Sequence, residues 1–128
     1  MKIKYLIGAL MLMVASANFV QAQTTSKKML RHVVLFKFKD SATPAQVKEV
    51  EEAFKALPKK IKEIKGLEWG TNNSPEGLSQ GFTHVFFVTF ENEAGREVYL
   101  PHPDHKAFGK VLGPYLDKVL VVDYWTQE

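Results

Sequence analysis

Apolar residues crowd residues 31–39, where Val33, Val34, Leu35, Phe36 and Phe38 form a run of strand length, rich in β-branched and aromatic types. Both faces of that run are largely apolar, so both are expected to be covered. A different period follows. Val47, Val50, Phe54, Leu57, Ile61 and Ile64 recur at spacings of three and four, which draws one apolar stripe down a helix. Thr43-Pro44-Ala45-Gln46 marks its start: Thr43 can cap, Pro44 sits where a missing amide hydrogen is harmless, and Gln46 can close a capping box. Pro58 kinks or interrupts the helix after Leu57, and Gly66 is a stop. At this length the stripe fits an amphipathic helix lying on a sheet better than a coiled-coil seam.

Residues 66–71, with Leu67 and Trp69, read as a second short strand, and 72–80 as a loop rich in Asn, Ser, Gly and Pro. Residues 82–91 carry the strongest alternation, with Phe82, His84, Phe86, Val88 and Phe90 on one side and Thr83, Val85, Phe87 and Thr89 on the other. Helical character returns over 92–100, stops at Pro101 and Pro103, and resumes in short pieces through Leu116. Residues 118–125 close the domain as a last strand.

Strand, helix, strand, strand, helix, strand is the split βαβ order. It predicts an α+β fold of ferredoxin-like type, a four-stranded antiparallel sheet with its helices on one face. On the other face the alternation places Phe87, Val33 and Leu35, together with Val119, Val121 and Trp125 of the last strand. So much apolar surface calls for a cover, and the same face of a second copy would supply one by closing two sheets into a barrel. A homodimer through the sheet faces is the expectation.

The N-terminus does not belong to this pattern. A basic start with Lys2 and Lys4, an apolar run over 6–20 and the small residues Val20-Gln21-Ala22 read as a signal peptide, 1–22, cleaved after Ala22. The run is shorter than the roughly 20 residues that span a bilayer, and no cysteine follows it for a lipid anchor. The expected product is exported, periplasmic or secreted, without a stable membrane anchor, with a flexible linker over 23–29 and one domain over 30–128. The chain has 17 Lys and Arg and 14 Asp and Glu; without Lys2 and Lys4, 15 face 14. A net charge of +1 with interleaved signs is no nucleic-acid stripe. Export without a single cysteine leaves stability to packing alone, which a subunit interface would help.

Chemistry concentrates in one place. His84, Tyr99, His102 and His105 hold nearly all the groups that move protons near neutral pH, the last three within Tyr99-Leu100-Pro101-His102-Pro103-Asp104-His105; His32 lies apart. His32 and His84 have inward strand parity among phenylalanines, so neighbouring first and third strands would let both imidazoles share a pocket under the helices. An imidazole and a phenol suit acid–base work. Structural use of the same groups, as core histidines or helix caps, is the competing reading. His102 and His105, three apart across a proline, lack the register of a zinc motif even with Asp104 and Asp123 as oxygen donors. No metal site and no cofactor are expected, and the chain has no glycine-rich phosphate loop, serine elbow or thiol.

The opening Arg31-His32-Val33-Val34-Leu35-Phe36-Lys37-Phe38-Lys39, the Phe82-Thr83-His84-Val85 strand, the Tyr99 to His105 segment with Phe108, and Val122-Asp123-Tyr124 together resemble the stress-responsive dimeric α/β-barrel (Dabb) domain family. The resemblance implies the dimeric ferredoxin-like barrel. One branch of that family looks like a plant polyketide cyclase. Its catalytic tyrosine and histidine fall on Tyr99 and His105 here, and two further cavity histidines fall on His32 and His84. A mechanism consistent with that pair has His105 take a proton next to a carbonyl while Tyr99 donates a hydrogen bond to the developing enolate oxygen.

Two classes of function follow. One is a small-molecule binding protein or enzyme for an apolar or aromatic ligand, with Phe36, Phe86 and Leu100 as cavity wall and His32, His84, His102, Tyr99 and His105 as its polar groups. The other is a noncatalytic assembly module built on the dimer. Cyclase-like lyase and cofactor-free monooxygenase chemistry are narrower variants, the second by fold analogy alone. A pocket reaching both Tyr99 and His105 favours the first class, and side chains filling that space favour the second.

Overall fold

A computed structural model describes residues 26–127; the leader expected over 1–22 and the first part of the linker lie outside them. The strands are β1 (Leu30–Phe38), β2 (Ile64–Thr71), β3 (His84–Phe90) and β4 (Leu116–Trp125). The helices are α1 (Pro44–Lys55), α2 (Leu57–Lys60), α3 (Glu93–Tyr99) and α4 (Pro103–Leu112), with a 3-10 turn at Gly113–Tyr115. The sheet runs β2-β3-β1-β4 and every neighbouring pair is antiparallel. This is the expected ferredoxin-like arrangement, and no described helix is long and apolar enough to cross a membrane.

Local chemistry explains most of the boundaries. Thr43 caps α1 by accepting from the Gln46 amide at 3.3 Å while the Gln46 side chain accepts from the Thr43 amide at 2.9 Å. The helix ends earlier than its apolar stripe suggests. Ala56 closes α1, and Pro58 sits in the first turn of α2, where its missing N–H breaks no bond. Ile64, the last residue of the stripe, therefore already belongs to β2. β3 begins at His84 rather than Phe82, whose amide instead bonds Ser79 across a turn where Gln80 and Gly81 have positive φ. Beyond Pro101 the chain forms a full ten-residue helix rather than fragments, because Pro103 falls at the first helical position of α4.

Among the described residues, fourteen apolar ones build the core under the helices, with Phe36, Phe54 and Phe86 at its centre. Phe54 of α1 stacks on Phe86 of β3 at 4.0 Å and meets Phe108 of α4 at 4.9 Å. These rings fasten the two main helices to the sheet and to each other. The linker is tied down at its end: Met29 exchanges hydrogen bonds with Thr126, and Lys27 pairs with Glu91.

The parity expected for β4 is reversed. Val34 pairs with Val121 and Phe36 with Val119, so Val119, Val121 and Trp125 lie on the helix side, while Leu120, Val122 and Tyr124 join Leu35, Val33 and Arg31 on the open face. The run Val119-Leu120-Val121-Val122 has no alternation to reveal its phase, and the unbroken ladder with β1 from Leu30 opposite Trp125 to Lys37 opposite Lys118 sets it. The open face remains apolar. Leu120, Val122 and Tyr124 are each more than two-fifths exposed, beside Val33, Leu35, Val85 and Phe87.

Candidate active site

Between β1, β4 and the helices lies a cavity of about 610 Å³. Successive inward positions of β1 and β4 give it a gradient. Phe36 and Val119, then Val34 and Val121, are apolar, and His32 opposite Asp123 is polar. Phe54, Phe108 and Leu112 close the apolar part, and Arg96, Tyr99, Leu100 and His105 line the cavity from α3 and the start of α4.

Tyr99 is the last residue of α3 and His105 lies in the first turn of α4, so the break at Pro101 turns both rings to one spot. Their centroids are 4.2 Å apart. The Nδ1–H of His105 donates to the Leu100 carbonyl at 2.9 Å. A carbonyl can only accept, so Nδ1 carries the proton and Nε2 of the neutral ring is left as a base. Tyr99 is 1% exposed. Its hydroxyl has no protein partner among the described residues, yet no buried side-chain oxygen there lacks one, so the oxygen reaches the cavity.

Burial pushes the Tyr99 phenol well above its ordinary value near 10, so it remains a hydrogen-bond donor at neutral pH. The native phenol also holds its proton more tightly than the unfolded one. That contributes stability which is complete below about pH 10 and is lost as pH rises from there toward the native value. Tyr99→Phe is expected to flatten the alkaline fall in stability, measured by urea unfolding across a pH series; an unchanged slope contradicts this.

On the other side of Tyr99, His32 stands edge-on at 5.7 Å, and its Nδ1 meets Asp123 Oδ1 at 2.7 Å. Arg96 donates to Asp123 Oδ2, also at 2.7 Å. Arg96 lies outside the set expected from the sequence, where Asp123 stands as a metal oxygen donor and as part of the family motif but not as a partner of His32. Both carried a signal: Asp123 interrupts an apolar strand at an inward position, and Arg96 precedes Tyr99 by one helical turn.

Thus His32, Phe36, Tyr99, Leu100 and His105 converge, and His84, Phe86 and His102 do not line this cavity. His84 pairs with Phe36, four residues along the sheet from His32, a separation of about 13 Å. Both its nitrogens are occupied, Nε2 by Glu51 and Nδ1 by Thr83, each at 2.8 Å. Phe86 is sealed between Phe54 and Trp69. His102 caps α4, its Nδ1 accepting from the Asp104 amide at 3.2 Å. His102→Ala is expected to cost about 1 kcal/mol in urea unfolding; an unchanged stability contradicts the capping role.

Fold and cavity together define a ferredoxin-like domain with a ligand-sized apolar hollow bearing two imidazoles and a phenol. The chain belongs to the stress responsive A/B barrel domain (Dabb) family, whose model matches residues 30–126. Among curated relatives, it is 38% identical over 99 residues to the stress-response A/B barrel domain-containing protein HS1 of Arabidopsis thaliana, covering 77% of this chain and 91% of that one. It is 34% identical over 95 residues to olivetolic acid cyclase of Cannabis sativa, covering 74% and 94%. Among solved structures, hydroxynitrile lyase from Passiflora edulis superimposes with a TM-score of 0.75 at 27% identity, over 80% of this chain and 97% of that one. A dimeric ferredoxin-like protein from Bacteroides fragilis gives 0.65 at 31% identity, over 77% and 96%.

Proposed function

We propose that this chain is an exported homodimer that binds a small apolar or aromatic carbonyl compound in the cavity and performs acid–base chemistry on it. His105 Nε2 takes a proton from the carbon next to the carbonyl, and the Tyr99 hydroxyl donates a hydrogen bond to the enolate oxygen that forms. One observation carries this reading: a cavity of about 610 Å³ reaches both the phenol and an imidazole whose Nδ1 is already tied to the Leu100 carbonyl. Side chains filling that space would instead have favoured a noncatalytic module. Two relatives of the same fold are enzymes, a cyclase and a lyase, which supports catalysis on this scaffold.

The homodimer is supported by the apolar open face and by relatives described as dimeric. Export is supported by the basic start, the apolar run over 6–20 and the small residues before Gln23.

Native mass spectrometry of protein purified from its source tests these points together. The expected species is a dimer of chains starting at Gln23 that retains a small molecule. Gly109 of α4 lines the cavity, and a side chain there would meet open space, so Gly109→Leu is expected to abolish retention without unfolding the domain. An empty wild-type cavity under these conditions, or retention unaffected by Gly109→Leu, argues against the reading.

A further inference from the structure

Asp123 has both carboxylate oxygens engaged, Oδ1 with His32 Nδ1 and Oδ2 with the Arg96 guanidinium. A carboxylate only accepts, so this contact keeps a proton on His32 Nδ1 and leaves the Nε2 of the neutral ring with a free lone pair. Nε2 has no hydrogen-bond partner among the described residues, and no buried side-chain nitrogen there lacks one, so this atom is open to the cavity that His32 lines. We infer that His32 is a second proton acceptor of the cavity, facing a hydrogen-bond donor of the ligand, and that Asp123 and Arg96 are its positioning residues. The ligand contact rests on the cavity being the binding site; the state of the ring does not.

Arg96 gives the arrangement its direction. A guanidinium donates and never accepts. An amide in place of the Asp123 carboxylate must therefore turn its oxygen to Arg96, which aims its NH2 group at His32 Nδ1. Nδ1 then has to accept, the proton moves to Nε2, and the cavity loses its acceptor. This is the logic by which a carboxylate holds a catalytic imidazole in its working tautomer. Removing Arg96 together with the charge frees the amide to rotate and restores the proton to Nδ1.

Nitrogen-15 NMR of the imidazole rings, at a pH above their titration range and without any ligand, reads the tautomer directly. The His32 signal is assigned by its absence in His32→Gln. Wild type and Arg96→Met are expected to show Nδ1–H, Asp123→Asn a complete switch to Nε2–H, and Arg96→Met/Asp123→Asn a return of Nδ1–H. Nδ1–H persisting in Asp123→Asn overturns the proposal, and Nε2–H persisting unchanged in the double variant removes Arg96 from it. Should Asp123→Asn fail to fold, the wild-type spectrum still decides, since an Nε2–H ring there is incompatible with the inference. An empty cavity by mass spectrometry would leave these spectra unaffected, so the two ideas fail separately.

Discussion

His105→Ala is expected to slow exchange of the proton beside the carbonyl of the retained compound by about 10²–10⁴-fold, the range for losing a positioned general base. The assay is deuterium incorporation from heavy water, followed by mass. The protein should stay folded, because the hydrogen bond lost with the ring, to the Leu100 carbonyl, is worth only about 1 kcal/mol. Tyr99→Phe keeps the ring that packs on Phe90 and His105 and removes only the hydroxyl. It should lower the same rate by about 10²–10³-fold, as for one donor to a developing oxyanion. Unchanged exchange in both variants would discard the mechanism.

Phe86→Ala should produce the largest loss of stability, about 3–5 kcal/mol in urea unfolding with an unchanged denaturant slope. Phe86 is fully buried, and its removal takes away four ring contacts at once, with Phe54 at 4.0 Å, Phe36 at 5.4 Å, Trp69 at 5.5 Å and His84 at 6.4 Å. A domain of this size has about 5–15 kcal/mol in total, so the variant should be marginal yet folded at low temperature. There it should still retain the ligand, since Phe86 does not line the cavity. Loss of retention in folded Phe86→Ala would show that this ring belongs to the site after all.

What could be read from the sequence followed from how clearly each segment alternates. β3 has a strict inside–outside pattern, and its parity was legible down to His84 and Phe86. The capping box at Thr43 and Gln46 announced α1 because both partners are local. β4 offered no such guide. Its run of four apolar residues reads the same in either phase, and only pairing with β1 decides that Val121 faces the cavity and Val122 does not. Pro58 was legible as a break but not as the start of a further helical turn.

The site was half legible for a related reason. Tyr99 and His105 are close in sequence, and a proline break between them is enough to bring their rings together. His32 and His84 share inward parity, which fixes a face and not a place along it. The antiparallel register of β1 and β3 carries them to different ends of the sheet, one to Asp123 and the other to Glu51. Asp123 and Arg96 are 27 residues apart, so their meeting depends on tertiary structure.

A crystal structure of the protein with its retained compound decides whether the cavity is where the chemistry occurs. The compound is expected within the cavity, its carbon beside the carbonyl about 3–3.5 Å from His105 Nε2 and its carbonyl oxygen about 2.7–3.1 Å from the Tyr99 hydroxyl. A compound seated on the open face of the sheet, or beside Tyr99 with its carbonyl turned away from both groups, would contradict it.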